Sequence, residues 1–139
     1  MLNYGMKGIA ENAIIHIMIR QIKLIGIPVA DQQRALDFYT SKLDFYIITD
    51  QPMGAGQRWI ELGIKGAQTG IVLFTPEGHE DRIGTFLNSS WAVGNIDETY
   101  KQLLERGVER EGPPEKQPWG SFIKIKDSEG NTILLSQAR

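Results

Sequence analysis

Val29-Ala-Asp31, followed by Ala35-Leu36 and Phe38-Tyr39, is echoed by Val93-Gly-Asn95, followed by Thr99-Tyr100 and Leu103, at a constant offset of 64 residues. Each copy reads as a strand feeding an amphipathic helix, and each runs on to a closing apolar strand, Ile71–Phe74 in the first and Ile133–Leu135 in the second. A pattern repeated once at this spacing predicts a duplicated fold with a site where the halves meet.

Working outward, Gln21 to Val29 is rich in Ile, Leu and Val and ends at Asp31, whose carboxylate suits the free N–H groups of a first helical turn. Ala35, Leu36, Tyr39 and Leu43 then fall on one helical face, so this helix should lie across a sheet. Strands are expected at Phe45–Thr49, Gln57–Leu62 and Thr69–Thr75, with Gly63-Ile-Lys-Gly66 as a hairpin turn. The first module is therefore βαβββ. Residues 76–84 form a polar connector with four charged residues, a histidine, two glycines and a proline. A strand at Asn88–Gly94 opens the second module, and Asn95 with Glu98 resembles a capping box. Ile96, Tyr100, Leu103, Leu104 and Val108 continue at helical spacing. A short strand is expected around Val108–Glu111, and strands Ser121–Lys126 and Thr132–Ser136 are joined by Asp127-Ser-Glu-Gly-Asn131, in which Gly130 or Asn131 can take positive φ.

The chain of 139 residues, 41% hydrophobic, is long enough to bury a core as one α+β domain over residues 21–137, with modules at 21–76 and 86–137. A net charge of -2 with interspersed signs argues against nucleic acid or an anionic membrane as partner and fits a neutral or mildly charged small molecule. The absence of cysteine excludes disulfides and thiolate chemistry. Residues 1–20 match neither copy. Their apolar stretch Ala13–Ile19 is too short to span a bilayer, and Glu11 and Asn12 interrupt any signal-peptide core, so a cytoplasmic protein is expected. The extension is either an added element packing on the domain or its partner chain, or the product of an upstream start, with Met18 as the functional one.

The strand into Val29-Ala-Asp31, the helix Arg34-Ala-Leu-Asp-Phe-Tyr39 with Leu43-Asp-Phe45, and Asp127-Ser-Glu-Gly-Asn131 before a closing strand together resemble the vicinal oxygen chelate superfamily. That superfamily includes glyoxalase I, extradiol dioxygenases, fosfomycin-resistance enzymes and bleomycin-resistance proteins. The resemblance covers about residues 21–137. It implies paired βαβββ modules whose mixed sheets curl into a cup, completed or flanked by a second subunit, hence a homodimer. It also implies four metal-ligand positions facing the cup: a His seven residues before the helix-capping Asp, a carboxylate in the last strand of module one, a His five residues before the second-module Val, and a Glu after the Gly-Asn turn. These fall on Leu24, Val72, Asn88 and Leu134. Three hydrocarbon side chains and an amide lack the imidazole or carboxylate donors that Zn, Fe, Ni or Mn require, and the neighbours Lys23, Ile25, Ile71, Leu73, Ile133 and Leu135 offer none. No metal and no other cofactor is expected.

His16 and His79 lie in the extension and the connector, where solvated side chains are the default, and Glu77, Glu80 and Asp81 read as a solvated linker. Arg58-Trp59-Ile60-Glu61 alternates faces, so either Arg58 or Glu61 points at the cup. Its charge is either paired structurally or, for Glu61, a general base whose pKa burial would raise. Trp119, between Pro118 and Gly120, is a pocket lid or an edge plug, and Trp91 is core. The expected ligand-binding set is Leu24, Trp59, Val72, Phe74, Asn88, Ser90, Trp119 and Leu134. No phosphate loop or hydrolytic triad is present. Three functions follow: metal-free binding of an apolar or aromatic molecule, by sequestration as in the bleomycin-resistance branch; a glyoxalase-like lyase, isomerase or dioxygenase without the usual metal, with Glu61 as base; and an assembly role with a vestigial cup.

Overall fold

The structure is a computed structural model that describes residues 17–138. Its elements run β1 (Leu24–Pro28), α1 (Gln32–Lys42), β2 (Tyr46–Gly54), β3 (Gln57–Gly63), β4 (Gly70–Phe74), β5 (Phe86–Ala92), α2 (Ile96–Glu105), β6 (Glu115–Gln117), β7 (Gly120–Lys126) and β8 (Thr132–Ala138). Two four-stranded sheets result, ordered β1-β4-β3-β2 and β5-β8-β7-β6. Both are mixed: β1 runs parallel to β4 and β5 parallel to β8, and the other pairs are antiparallel. The expected duplication of a βαβββ unit is thus the architecture observed.

Both helices start at the residues whose chemistry demands it. Asp31 is extended and its carboxylate accepts the Arg34 N–H at 2.9 Å, while Asn95 does the same for the Glu98 N–H at 3.0 Å. At the other end, Gly107 takes φ 70 and the Val108 N–H turns back to the Leu103 carbonyl at 3.0 Å, which closes α2. Ala35, Leu36 and Tyr39 of α1 and Ile96 and Leu103 of α2 are buried, as the spacing predicts. Leu104 is not: it lies 42% exposed at the flank of that face. The strand expected at Val108–Glu111 is reduced to a single bridge from Arg110 to Ile125, and β6 forms later. Pro113 and Pro114 carry no N–H for a ladder, so pairing resumes only beyond them. Strand β2 extends to Gly54, past Pro52, which an edge strand tolerates.

One core joins the helix-covered faces of both sheets, including Ile27, Ile60 and Leu73 from the first module and Ile123, Ile133 and Leu135 from the second. Tyr39, Phe45 and Trp91 bridge the modules as a ring cluster, with centroids 5.4 to 6.4 Å apart. The polar part of the seam is built from the segment read above as a simple turn. Asp127, Glu129 and Asn131 are the buried polar residues of the described chain, and all three reach across. The Tyr39 hydroxyl donates to Asp127 Oδ2 at 2.7 Å, and the Asn131 amide donates to the Pro28 carbonyl at 2.9 Å. Glu129 Oε1 accepts the N–H groups of Ala30 and Asp31 at 2.9 and 3.0 Å, and Arg34 clasps the same carboxylate from Nε at 2.8 Å and from its terminal nitrogen at 3.0 Å.

Burial opposes the charge on Glu129, but Arg34, Ser128 and the two backbone N–H groups outweigh it and hold its pKa at about 2. Against an unfolded value near ~4.3, this carboxylate stabilises the fold above that pH, and the contribution is lost as pH falls towards the folded value. The size is roughly 2–3 kcal/mol, once the half-exposed Arg34 is allowed for. The melting temperature of the protein should therefore fall between about pH 5 and 2, and Glu129→Gln should lower it at neutral pH while flattening its acid dependence; an acid limb unchanged in that variant would contradict the assignment. Burial and the charge of Asp127 raise the Tyr39 pKa well above its ordinary value, so its hydroxyl remains a donor. Tyr39→Phe removes one donor from a carboxylate that keeps its bonds to Asn131 and Glu129, and chemical denaturation should report a loss of about 1–2 kcal/mol with the fold retained.

Candidate functional site

Each sheet has an outer face, opposite its helix, and the strand registers define what lies on it. In the first sheet Leu24 and Gly26 of β1 alternate onto the same face, Gly26 stands opposite Val72, and Val72 stands opposite Glu61. Trp59, two residues before Glu61, and Phe74, two after Val72, complete the surface. Five of the sequence-predicted site residues, Leu24, Trp59, Glu61, Val72 and Phe74, are thereby brought together. In the second sheet Ser90 stands opposite Leu134, and Leu134 opposite Lys124. Asn88 is exposed and left-handed (φ 55), within an irregular stretch of β5 between Phe86 and Ser90.

The second surface forms an open concavity of about 370 Å³ lined by Ser90, Trp119, Phe122, Leu134 and Ser136, among others, all from module two. Ser90 and Ser136 share a 2.6 Å hydroxyl contact on its floor. Trp119 is 71% exposed at its edge. Its loop is placed by Gly120, whose φ of 156 brings the backbone so near the Gln137 carbonyl that a Cβ would sit 2.7 Å from the oxygen. Within one chain the concavity of the second sheet is thus lined without residues of the first.

Tyr46, Phe122 and Ser136, not anticipated from the sequence, join these surfaces. Tyr46 lies over Gly63, and the Phe74 ring lies over Gly26, where a Cβ would meet it at 2.9 Å. Aromatic rings over bare backbone widen the apolar surface of a sheet. Phe122 and Ser136 share the outer face of the second sheet by the same alternation that places Leu134. Arg58 faces the helix side instead and pairs with Asp50 at 2.7 Å, so its charge is structurally matched. Glu61 is half-buried, and its carboxylate accepts the indole N–H of Trp59 at 3.3 Å. His79 is exposed just before a short 3-10 turn, and His16 lies outside the described residues.

The donor set at the four inward strand positions does not fit a divalent ion. Leu24, Val72 and Leu134 carry no donor atom, and the amide of Asn88 alone is a weak ligand. Among the described residues no three His, Cys, Asp or Glu side chains group closely enough to hold one. No helix among those residues is long and apolar enough to cross a membrane.

A duplicated βαβββ unit with helices on one side and an open outer surface on each sheet defines a glyoxalase-like α+β fold. The model of the Glyoxalase/Bleomycin resistance protein/Dioxygenase superfamily matches residues 14–135, and the chain belongs to that superfamily. It is 36% identical over 123 residues to YetH of Bacillus subtilis (strain 168), covering 86% of this chain and 100% of that one. Among solved structures, a superfamily member from Sphaerobacter thermophilus DSM 20745 superposes with a TM-score of 0.79 at 35% identity, covering 87% of this chain and 99% of the other. TnmS3, an antibiotic binding protein from Streptomyces sp. CB03234, superposes with a TM-score of 0.76 at 33% identity, covering 89% and 100%.

Zinc, nickel, manganese or ferrous ion added in excess should leave the melting temperature unchanged, because a ligand stabilises the folded state only where it binds. A saturable rise with one ion per chain would contradict the donor reading.

Proposed function

We propose that the protein binds an apolar or aromatic small molecule in a cup assembled from the outer faces of the two sheets, without a metal at the family's ligand positions. A second copy of the chain brings one half-site against the other. The observation that carries this reading is the exposure of the outer surfaces: Trp59 is 39% exposed and Trp119 71%, and Tyr46 and Phe86 are about half exposed on the same faces. Large rings left in water on a monomer favour burial by a ligand or a partner. Leu24, Val72 and Leu134 supply hydrocarbon where the metal-dependent relatives supply ligands, Phe74 adds a ring beside them, and Ser90, Ser136 and Asn88 provide sparse hydrogen-bonding groups to orient a guest. The kinship with TnmS3, described as antibiotic binding, supports sequestration of an organic molecule as the activity.

A panel of aromatic compounds screened by thermal shift should contain members that raise the melting temperature saturably, with Trp119→Ala weakening binding by about 0.5–1.5 kcal/mol, the worth of an aromatic pair. A panel that never moves the transition, with the dimer intact, would sink the reading.

The second reading, a glyoxalase-like lyase, isomerase or dioxygenase, rests on Glu61, whose carboxylate stands beside Trp59 on the same face as Val72. In that reading Glu61 is the base. Glu61→Gln should then abolish turnover of any substrate found while leaving its affinity intact, and an unchanged kcat in that variant would dismiss the role.

A further inference from the structure

The repeat of 64 residues is a pseudo-two-fold in space. The Val29 N–H donates to the Phe74 carbonyl at 2.8 Å as the Val93 N–H donates to that of Ser136 at 2.9 Å. Where the helix ends meet, the Lys42 ammonium donates to the Arg106 carbonyl at 2.8 Å, and the Arg106 guanidinium donates to the Lys42 carbonyl at 2.9 Å. These two residues are themselves equivalents, 64 apart.

Side-chain volume breaks this symmetry at the seam between the modules. The helix offset sets Leu103 where module one has Tyr39, and Gln102 where it has Phe38. Strand pairing, Leu62 opposite Ile71 and Ile125 opposite Ile133, sets Ile64 where module two has Asp127. On one side of the pseudo-axis the Tyr39 ring fills the seam and bonds Asp127, with Phe38 edge-on against it. On the other side the shorter Leu103 and Gln102 leave that space open, and Ile64 offers no bond. A cavity of about 200 Å³ remains there, lined by Phe45, Ile64, Trp91, Leu103, Ile125 and Leu135, with Lys42 and Arg106 at its rim. Asp44, Thr99 and Gln102 also line it, so the cavity pairs apolar walls with a polar side, and an apolar cavity of about 150 Å³ suffices for benzene.

We propose that this seam cavity is a second binding site, separate from the outer faces, for a single-ring aromatic carboxylate. The ring packs against Trp91, Phe45 and Leu103. The carboxylate meets Lys42, which spends one of its three donors on the Arg106 carbonyl, and Arg106, whose charge Asp44 partly matches at 3.0 Å. This inference does not depend on what the outer faces bind.

The test is a titration of the full-length protein with benzoate, followed by methyl-detected NMR. Nuclear Overhauser contacts should connect the benzoate ring to methyl groups of Leu103, Ile125 and Leu135. Two variants copy the filled side: Leu103→Tyr, and Gln102→Phe at a more exposed position that the core need not accommodate. Each should weaken benzoate by about tenfold or more, and Lys42→Met should weaken benzoate while leaving toluene unchanged. Contacts confined to outer-face residues such as Leu134, no contacts at all, or equal affinity in a folded filling variant would overturn the seam site. The first of these would leave the outer-face reading standing.

Discussion

The carboxylate of Glu129, set against the N-terminal entry of α1, is the constraint on which the arrangement of the two modules rests. It is a charge taken out of water, and it is tolerated because five donors converge on it: two backbone N–H groups ahead of the helix, two guanidinium nitrogens of Arg34 and the Ser128 hydroxyl. Asp127 and Asn131 extend the contact to Tyr39 and Pro28. Removing Glu129 would leave Arg34 and the Ala30 and Asp31 amides without their shared acceptor. The hairpin of module two is therefore fastened to the strand-helix junction of module one by bonds with strict geometry, and the apolar core then needs only to fill the space so defined.

This assigns the residues that betray the family to architecture. Asp31, Arg34, Tyr39 and the Asp127–Asn131 segment meet one another at the seam, far along the chain from each other but within bonding distance. Their chemistry is used in holding modules together. In the proposed function the outer faces carry the activity, because there the fold fixes positions but leaves side chains open. Carboxylates and imidazoles there would gather a metal, whereas leucine, valine and tryptophan make a surface for organic guests. Membership of the superfamily is thus compatible with either chemistry, and Leu24, Val72 and Leu134 favour the second.

The repeat, both helix caps and most strands were legible because they depend on local rules: an Asx side chain before a helical period, alternation along a strand, glycine at a turn. Alternation along a strand puts Trp59 and Glu61 on one face and Arg58 and Ile60 on the other, but which of the two faces lies away from the helix is settled only by the register with Val72. The seam was not legible. Glu129 and Asp31 lie 98 residues apart, and Asp127-Ser-Glu-Gly-Asn131 satisfies every requirement of an ordinary turn. Leu104 fits the helical period yet lies exposed at the flank of the buried face, because α2 is covered on one side only. The displacement of β6 follows from Pro113 and Pro114, which carry no N–H for a ladder. Tyr46 and Phe122 were missed as outer-face residues because their register comes from a bulged pair and from a strand whose inward partner had to be known first.

Native mass spectrometry of the gently purified protein tests the central claim most directly, since one spectrum reports subunit number, metal and bound organic molecules together. The account predicts a dimer carrying an organic adduct and no stoichiometric metal. A transition metal at one ion per chain, or a monomer that retains no small molecule, would contradict it.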